Sequence, residues 1–389
     1  MNAVHWISIT PNSPIHFGDS KPNFSFLSTK EVVAGSILRG SLADYLIRQG
    51  RESEITEYIR DMRFGFFYPS LNPLLLPLPF PTTALECKIS PGFKSKDSHG
   101  IFDSLLPSVA YDELKQFTEF PVPLTFKCRE CRASDGRMEK ISGFYIKEGG
   151  EYRRVEVKRT SQTKVGISRR RKVSESEMLY SITALKPSNV FVGKILGDTE
   201  KLKVLLNALN EVGIGAFTTR GYGAVTAKEE KNMKLALGDV KERVVSFNEK
   251  LREVWRDIAS LALNIGGIQM DPEGTYFSVD LLSPAVLRDR GGVRTLKLRL
   301  TLGTKKIDPI MFSTYSVFIG GWSTAWGLPK TTTYGAGVGS TYVFKVDEMR
   351  EELYQELENI ENEGVGEMRA EGYGAVLICH PFHREVMQV

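Results

Sequence analysis

Four residues have the types and spacing to hold a metal ion. Cys128 and Cys131 are two residues apart, a knuckle that offers two thiolates from one turn. Cys87 and His99 lie upstream, separated by a loop rich in glycine, lysine and serine. Together they would make a closed Cys3His tetrahedral site for structural zinc. With all four positions filled, a catalytic zinc is not expected. The two halves of the set are not at zinc-finger spacing, so the alternative is a pair of free cysteines and a surface histidine. Thiol redox chemistry is the weaker option, because no thioredoxin-like βαβ pattern surrounds the knuckle.

A second chemistry-bearing stretch occurs twice. Gly213, Gly215, Thr218, Thr219, Arg220, Gly221 and Gly223 form a glycine-rich loop that ends in Gly-Tyr-Gly-Ala-Val, and the same five letters return at 372–376, preceded by Gly364, Gly366 and Arg369. Successive backbone N–H groups in such a loop can face an anion, and the arginine adds charge. A dinucleotide loop follows a strand and opens a helix, whereas here the order is reversed, and no P-loop lysine is present. The first copy therefore suits a phosphodiester backbone rather than a nucleotide cofactor. The plainer alternative is a tight helix-to-strand turn. In the second copy Glu367 and Glu371 surround Arg369, which suits it to structure.

Charge is concentrated in one place. The net charge is only +4, yet the stretch 153–172 holds nine basic residues (Arg153, Arg154, Lys158, Arg159, Lys164, Arg169, Arg170, Arg171 and Lys172) against one acidic, Glu156. A basic element on a near-neutral body fits a polyanion held at a defined place. The stretch lacks apolar periodicity and sits between strand-like segments, so it reads as an inserted hairpin arm that gains order on phosphates. Gly35, Ser36 and Arg39 stand where a helix carrying Ile37, Leu38, Leu42 and Leu46 would begin, with Ser36 as its cap, and a helix N-terminus attracts phosphate. The alternative there is a capped core helix with an exposed arginine. Trp322 and Trp326 could stack on bases, although tryptophans are more often core or interface residues. Of the five histidines, His16 is the best placed for acid–base chemistry.

The elements that must position these groups are legible from period. Leucines at 202, 205, 206 and 209 predict a helix over 201–211, and Met349, Leu353, Leu357 and Ile360 predict one over 349–360. Each helix is followed by a glycine loop and then a strand, an internal duplication. The helical period over 240–263 reads as a bridge between the halves. The pattern predicts an α+β chain with domains at 1–235 and 236–389. The first carries a zinc region at about 82–140 and the basic arm at about 153–178. A length of 389 residues suffices for two cores. Neither a signal peptide nor a membrane-length apolar run is present, so a cytoplasmic protein is expected.

Two β-α-β-β-α-β halves, each closing with a glycine-rich loop between last helix and last strand, resemble the RAMP superfamily of CRISPR-associated proteins. Gly213, Gly215, Thr218, Arg220, Gly221 and Gly223 match that family's signature loop, and Gly35, Ser36, Arg39 and Gly40 resemble its helix start. Cys87-Lys88, the Cys128/Cys131 knuckle, Gly143-Phe144-Tyr145 and the segment from Trp326 to Ser340 look like the type III-D subunit that caps the 5′ end of crRNA. The resemblance implies tandem ferredoxin-like (RRM-like) domains and a non-catalytic scaffold. Such a scaffold grips the crRNA 5′ handle, meets target RNA through its arm, and seats the large signalling subunit and the backbone subunits. Two rivals remain: a metal-independent endoribonuclease using His16, and a general single-strand RNA-binding module.

Overall fold

The computed structural model describes residues 3–18, 26–131, 136–167, 170, 174–233, 237–263, 270–323 and 327–386. The chain opens with β1 (Ala3–Pro11), whose alternate residues Ile7 and Ile9 are fully buried, the period of a strand. α1 (Gly35–Arg48) buries Leu38, Leu42 and Leu46, and β2 (Arg63–Ser70) follows. An insert carries α2 (Leu105–Leu114), and the arm is an antiparallel hairpin of β3 (Arg159–Ile167) and β4 (Ser174–Leu185). β5 (Val190–Gly197), α3 (Thr199–Val212) and β6 (Val225–Glu229) complete the first half. Asp198 caps α3 by accepting from the Glu200 amide at 2.8 Å, satisfying a donor that the helix cannot. The four main strands pair antiparallel in the order β6-β1-β5-β2.

The second half repeats this order. α4 (Val240–Ala259) leads into β7 (Thr275–Leu281), β8 (Met311–Ser313), β9 (Thr341–Val346), α5 (Glu351–Glu363) and β10 (Val376–Ile378). The sheet runs β10-β7-β9-β8, again antiparallel throughout. The duplication extends to single hydrogen bonds. Gly223 N donates to the Pro14 carbonyl, Ala224 N to Ser13 Oγ and Ala216 N to the His16 carbonyl, each at 2.9 Å. In the second half Gly374 N donates to Pro284, Ala375 N to Ser283 Oγ and Glu367 N to Val286, at 2.9 to 3.0 Å. Phe217 and Met368, at matching places, both adopt left-handed backbone.

Two expectations need correction. Between β7 and β8 the second half has no helix; residues 282–310 form short hairpins instead. That segment is rich in arginine and glycine and has no apolar 3.6-residue stripe, so nothing in it would bury a helix face. The sheet packs against α4 and α5, and α2 of the insert packs on α4: its Leu106, Val109 and Ala110 share a core with Phe247, Leu251 and Trp255. α4 buries its apolar face in that core, as its period predicts, and Asn248 bonds both the N–H and the C=O of Tyr276 at 2.9 and 2.7 Å. Finally, Ala34, not Ser36, is the N-cap of α1, and no side chain caps that helix.

The halves meet through the second glycine loop. Tyr373 packs edge-on to Phe66 with ring centroids 5.1 Å apart, and Tyr68 Oη donates to the Leu282 carbonyl at 2.5 Å. Gly372, at φ +85°, lies so close to β2 that a Cβ there would stand 2.5 Å from the Phe64 carbonyl oxygen. Among the described residues no helix is long and apolar enough to cross a membrane.

Candidate functional site

The metal set is assembled by one small sheet of the insert. Cys87 ends the strand Ala84–Cys87, His99 stands just before Ile101–Asp103 with Gly100 between, and the knuckle precedes Met138–Lys140. Those three strands pair together, which brings the ligands to one end. Cys128 N donates to the Gly136 carbonyl at 2.7 Å, closing the knuckle. His99 Nδ1 lies 3.4 Å from the sulfurs of Cys87 and Cys128 and 3.3 Å from that of Cys131. The sulfurs of Cys87 and Cys131 are 3.4 Å apart, and all four donor atoms fall within 4.8 Å of one another. Tetrahedral zinc with the usual bond lengths needs sulfur-to-nitrogen separations of about 3.5 Å, so donor set and geometry fit the ion. Burial opposes ionisation of Cys87, but hydrogen bonds from the Ser90 and Ile89 backbone and from the Cys131 and Cys128 thiols bring its thiol down to about 7. The cluster could hold a metal such as zinc; its role would be to close the insert's loops.

The first glycine loop meets the base of the arm. Thr218, Thr219, Arg220 and Gly221 are exposed, as is Gly215, while Gly213 and Gly223 are buried. A Cβ on Gly213 or Gly223 would strike the opposite strand of the loop, at the Gly223 or Ile214 carbonyl. The Arg220 guanidinium lies 5.5 Å over the Phe217 ring and donates to Tyr180 Oη of β4 at 3.4 Å. Tyr222 Oη donates to Gln162 Oε1 of β3 at 2.8 Å. Thus loop and hairpin meet, and Lys158, Arg159, Lys164 and Arg170 are exposed on the arm. Arg159 is ion-paired with Glu31. Arg153 and Arg154 belong elsewhere: they lie on Glu151–Val155, which pairs with Phe144–Glu148, and they face Glu148, Glu151 and Glu86. Arg169, Arg171 and Lys172 lie outside the described residues, as does Trp326.

The helix start is a different site. Gly35 is buried beneath the second glycine loop, Ser36 is half-buried, and Arg39 pairs with Glu371 at 3.0 Å. In that loop Glu367 also pairs with Arg288 and Arg294. His16 is buried under the first loop; its Nδ1 donates to the Thr183 carbonyl at 2.8 Å, and its ring packs on Phe217 at 5.2 Å.

One buried cluster escapes any sequence pattern. His383 is held between Asp103 of the insert and Asp280 of β7, with its Nε2 2.9 Å from Asp280 Oδ1. Ser278 and Thr341 hydroxyls donate to Asp280 at 2.6 Å. Burial favours the neutral ring, but the two carboxylates prevail and hold the imidazolium up to about 10. His380 beside it is pushed down to about 4 by burial.

Fold and site together define a duplicated α+β protein, built from two four-stranded sheets that each close with a glycine loop, with a cysteine–histidine insert and a basic hairpin. The RAMP superfamily model matches residues 8–226, over half of the 389 residues, and the chain belongs to that superfamily. No curated protein matches it. Among solved structures it is similar to a chain of a type III-B Cmr-beta complex bound to cognate target RNA. The identity is 15%, over 60% of this chain and 99% of that one, with a TM-score of 0.32. A chain of that complex with target RNA and AMPPnP gives 14% identity over 94% and 91%, with a TM-score of 0.41.

Proposed function

We propose that the chain is a non-catalytic RNA-binding subunit of a type III CRISPR effector complex, one that grips the 5′ handle of the crRNA and seats neighbouring subunits. The observation that carries this reading is the union of the first glycine loop with the basic hairpin through Arg220–Tyr180 and Tyr222–Gln162. The exposed Thr218 and Thr219 side chains and the Arg220 guanidinium, beside the exposed cations of the arm, offer hydroxyls and charge to a phosphodiester backbone. The strand order of each half supports a ferredoxin-like description, with the second half missing its first helix. Zinc in the Cys3His cluster would be structural, and the halves divide near residue 235. Superfamily membership supports the RNA partner. The type III-D subunit resemblance, carried by the Cys87/Cys128/Cys131 set and the Gly143-Phe144-Tyr145 strand, supports the position in the complex. His16, covered by Phe217, is better used to support the loop than to abstract a proton.

Co-expression with the neighbouring subunits, purification and sequencing of the bound RNA tests this. Enrichment of RNAs that begin with a repeat-derived tag is expected, and its loss with the triple variant Lys158→Ala, Lys164→Ala, Arg170→Ala. An RNA-free complex would overturn the proposal.

A further inference from the structure

The second half carries its own hairpin at the place equivalent to the arm. In the first half the arm lies between the second and third strands of the sheet, and its end is tied by the bridge Ile15–Leu185. In the second half Ser316–Ile319 pairs with Thr333–Ala336, again between the second and third strands, and the matching bridge is Ala285–Ala336. The inner face of this hairpin is accounted for: Ile319 is buried and Val317 packs on the core between the halves. The outer face is not. Phe318 and Tyr334 are directly paired across the strands, and Phe318 is 74% exposed. Further out Trp322 pairs with Pro329 and is 62% exposed, and Leu328 is exposed beside it.

Charge decides the occupant. Residues 283–340 contain eight basic residues (Arg288, Arg290, Arg294, Lys297, Arg299, Lys305, Lys306 and Lys330) against two acidic ones. Lys330 sits on the hairpin itself, its backbone amide bonded to Gly321 and its exposed ammonium 3.9 Å from Glu371. Tyr334 is held in place through its hydroxyl on the Arg294 carbonyl at 2.9 Å. Four of these cations are engaged, Arg288 and Arg294 with Glu367 and Lys297 and Arg299 with Asp308. Lys330 is therefore the cation at hand beside the exposed aromatic faces, and stacking faces beside a cation are what single-stranded nucleic acids use.

We propose that this hairpin is a second nucleic-acid contact, a stacking platform on which Phe318, Trp322 and Tyr334 receive unpaired bases of a single-stranded RNA while Lys330 faces its backbone. The proposal rests on the RNA-binding reading of the first half, and the test separates the two. Binding of a fluorescein-labelled single-stranded oligoribonucleotide by the full chain is followed by anisotropy at fixed salt. Phe318→Ala and Trp322→Ala should each weaken binding about fivefold or more, and Phe318→Trp and Trp322→Phe should restore it. Melting temperature should be unchanged, because both side chains are solvent-exposed. A 4-thiouridine oligonucleotide should crosslink to peptides containing these residues. Unchanged affinity in both alanine variants, with the arm variant weakened, overturns the platform and leaves the first reading standing. Absence of any binding by the wild type overturns both. If the alanine variants bind RNA normally but lose a protein subunit from the nuclease-treated complex, the face is a protein interface and the platform is wrong.

Discussion

At the scale of single residues, two clusters make contrasting demands. The Cys3His set was legible because thiols and imidazole announce a metal by type, and a two-residue knuckle by spacing. About one zinc per chain is expected by elemental analysis. Cys128→Ser should release it and lower the melting temperature, and a metal-free, equally stable wild type would rule the site out. The Asp103–His383–Asp280 cluster was illegible, since its members are separated by 280 and 103 positions and no local period marks them. It ties the insert to the second half from inside the core. His383→Gln leaves two buried carboxylates without their counter-ion and should cost about 3–5 kcal/mol in urea unfolding. Because the folded imidazole titrates near 10 rather than its ordinary 6.5, its contribution is complete below about 6.5 and is lost as pH rises toward 10. The urea midpoint of the wild type should therefore fall across that window, and His383→Gln should flatten the fall.

At the scale of elements, the twin glycine loops have the same backbone and different employment. The first exposes Thr218, Thr219 and Arg220, and the second turns Glu371 onto Arg39 and lays Gly372 against β2. The acidic residues of the second copy were visible in the sequence; that they would cover the start of α1 was not, because docking of one half on the other has no local signature. A side chain at position 372 meets both an unfavourable φ and the Phe64 carbonyl. Gly372→Ala should then cost at least about 1–3 kcal/mol, read as a lowered denaturation midpoint, whereas an unchanged midpoint would mean that the seam is loose. The arm was legible as a charge run without period, but its start was not, since Arg153 and Arg154 differ from Lys158 and Arg159 only in which strand they pair with. Lys158, Lys164 and Arg170 are exposed, so replacing all three with alanine should leave stability within about 0.5 kcal/mol. The same change should flatten the dependence of log affinity on log salt by about 2 for single-stranded RNA; an unaltered slope would remove the arm from the interface.

At the scale of the molecule, duplication organises everything: two sheets of one strand order, two glycine loops and two hairpins at equivalent places. The sequence discloses the duplication through one repeated pentapeptide and two matching helix periods. It does not disclose that the insert, encoded within the first half, contributes α2 to the core of the second, because apolar stripes state that a face is buried and never against what. Between β7 and β8 the chain runs as hairpins, and the core of the second half is built by α4 with α2 packed against it. The central claim is recognition of a particular RNA end, and its most direct measurement is the affinity of the purified chain, within its complex, for a repeat-derived tag RNA against a scrambled RNA of equal length at matched salt. Tighter binding of the tag by tenfold or more, about 1.4 kcal/mol, is expected. Equal affinity for the two RNAs would contradict it and leave a general single-strand binder.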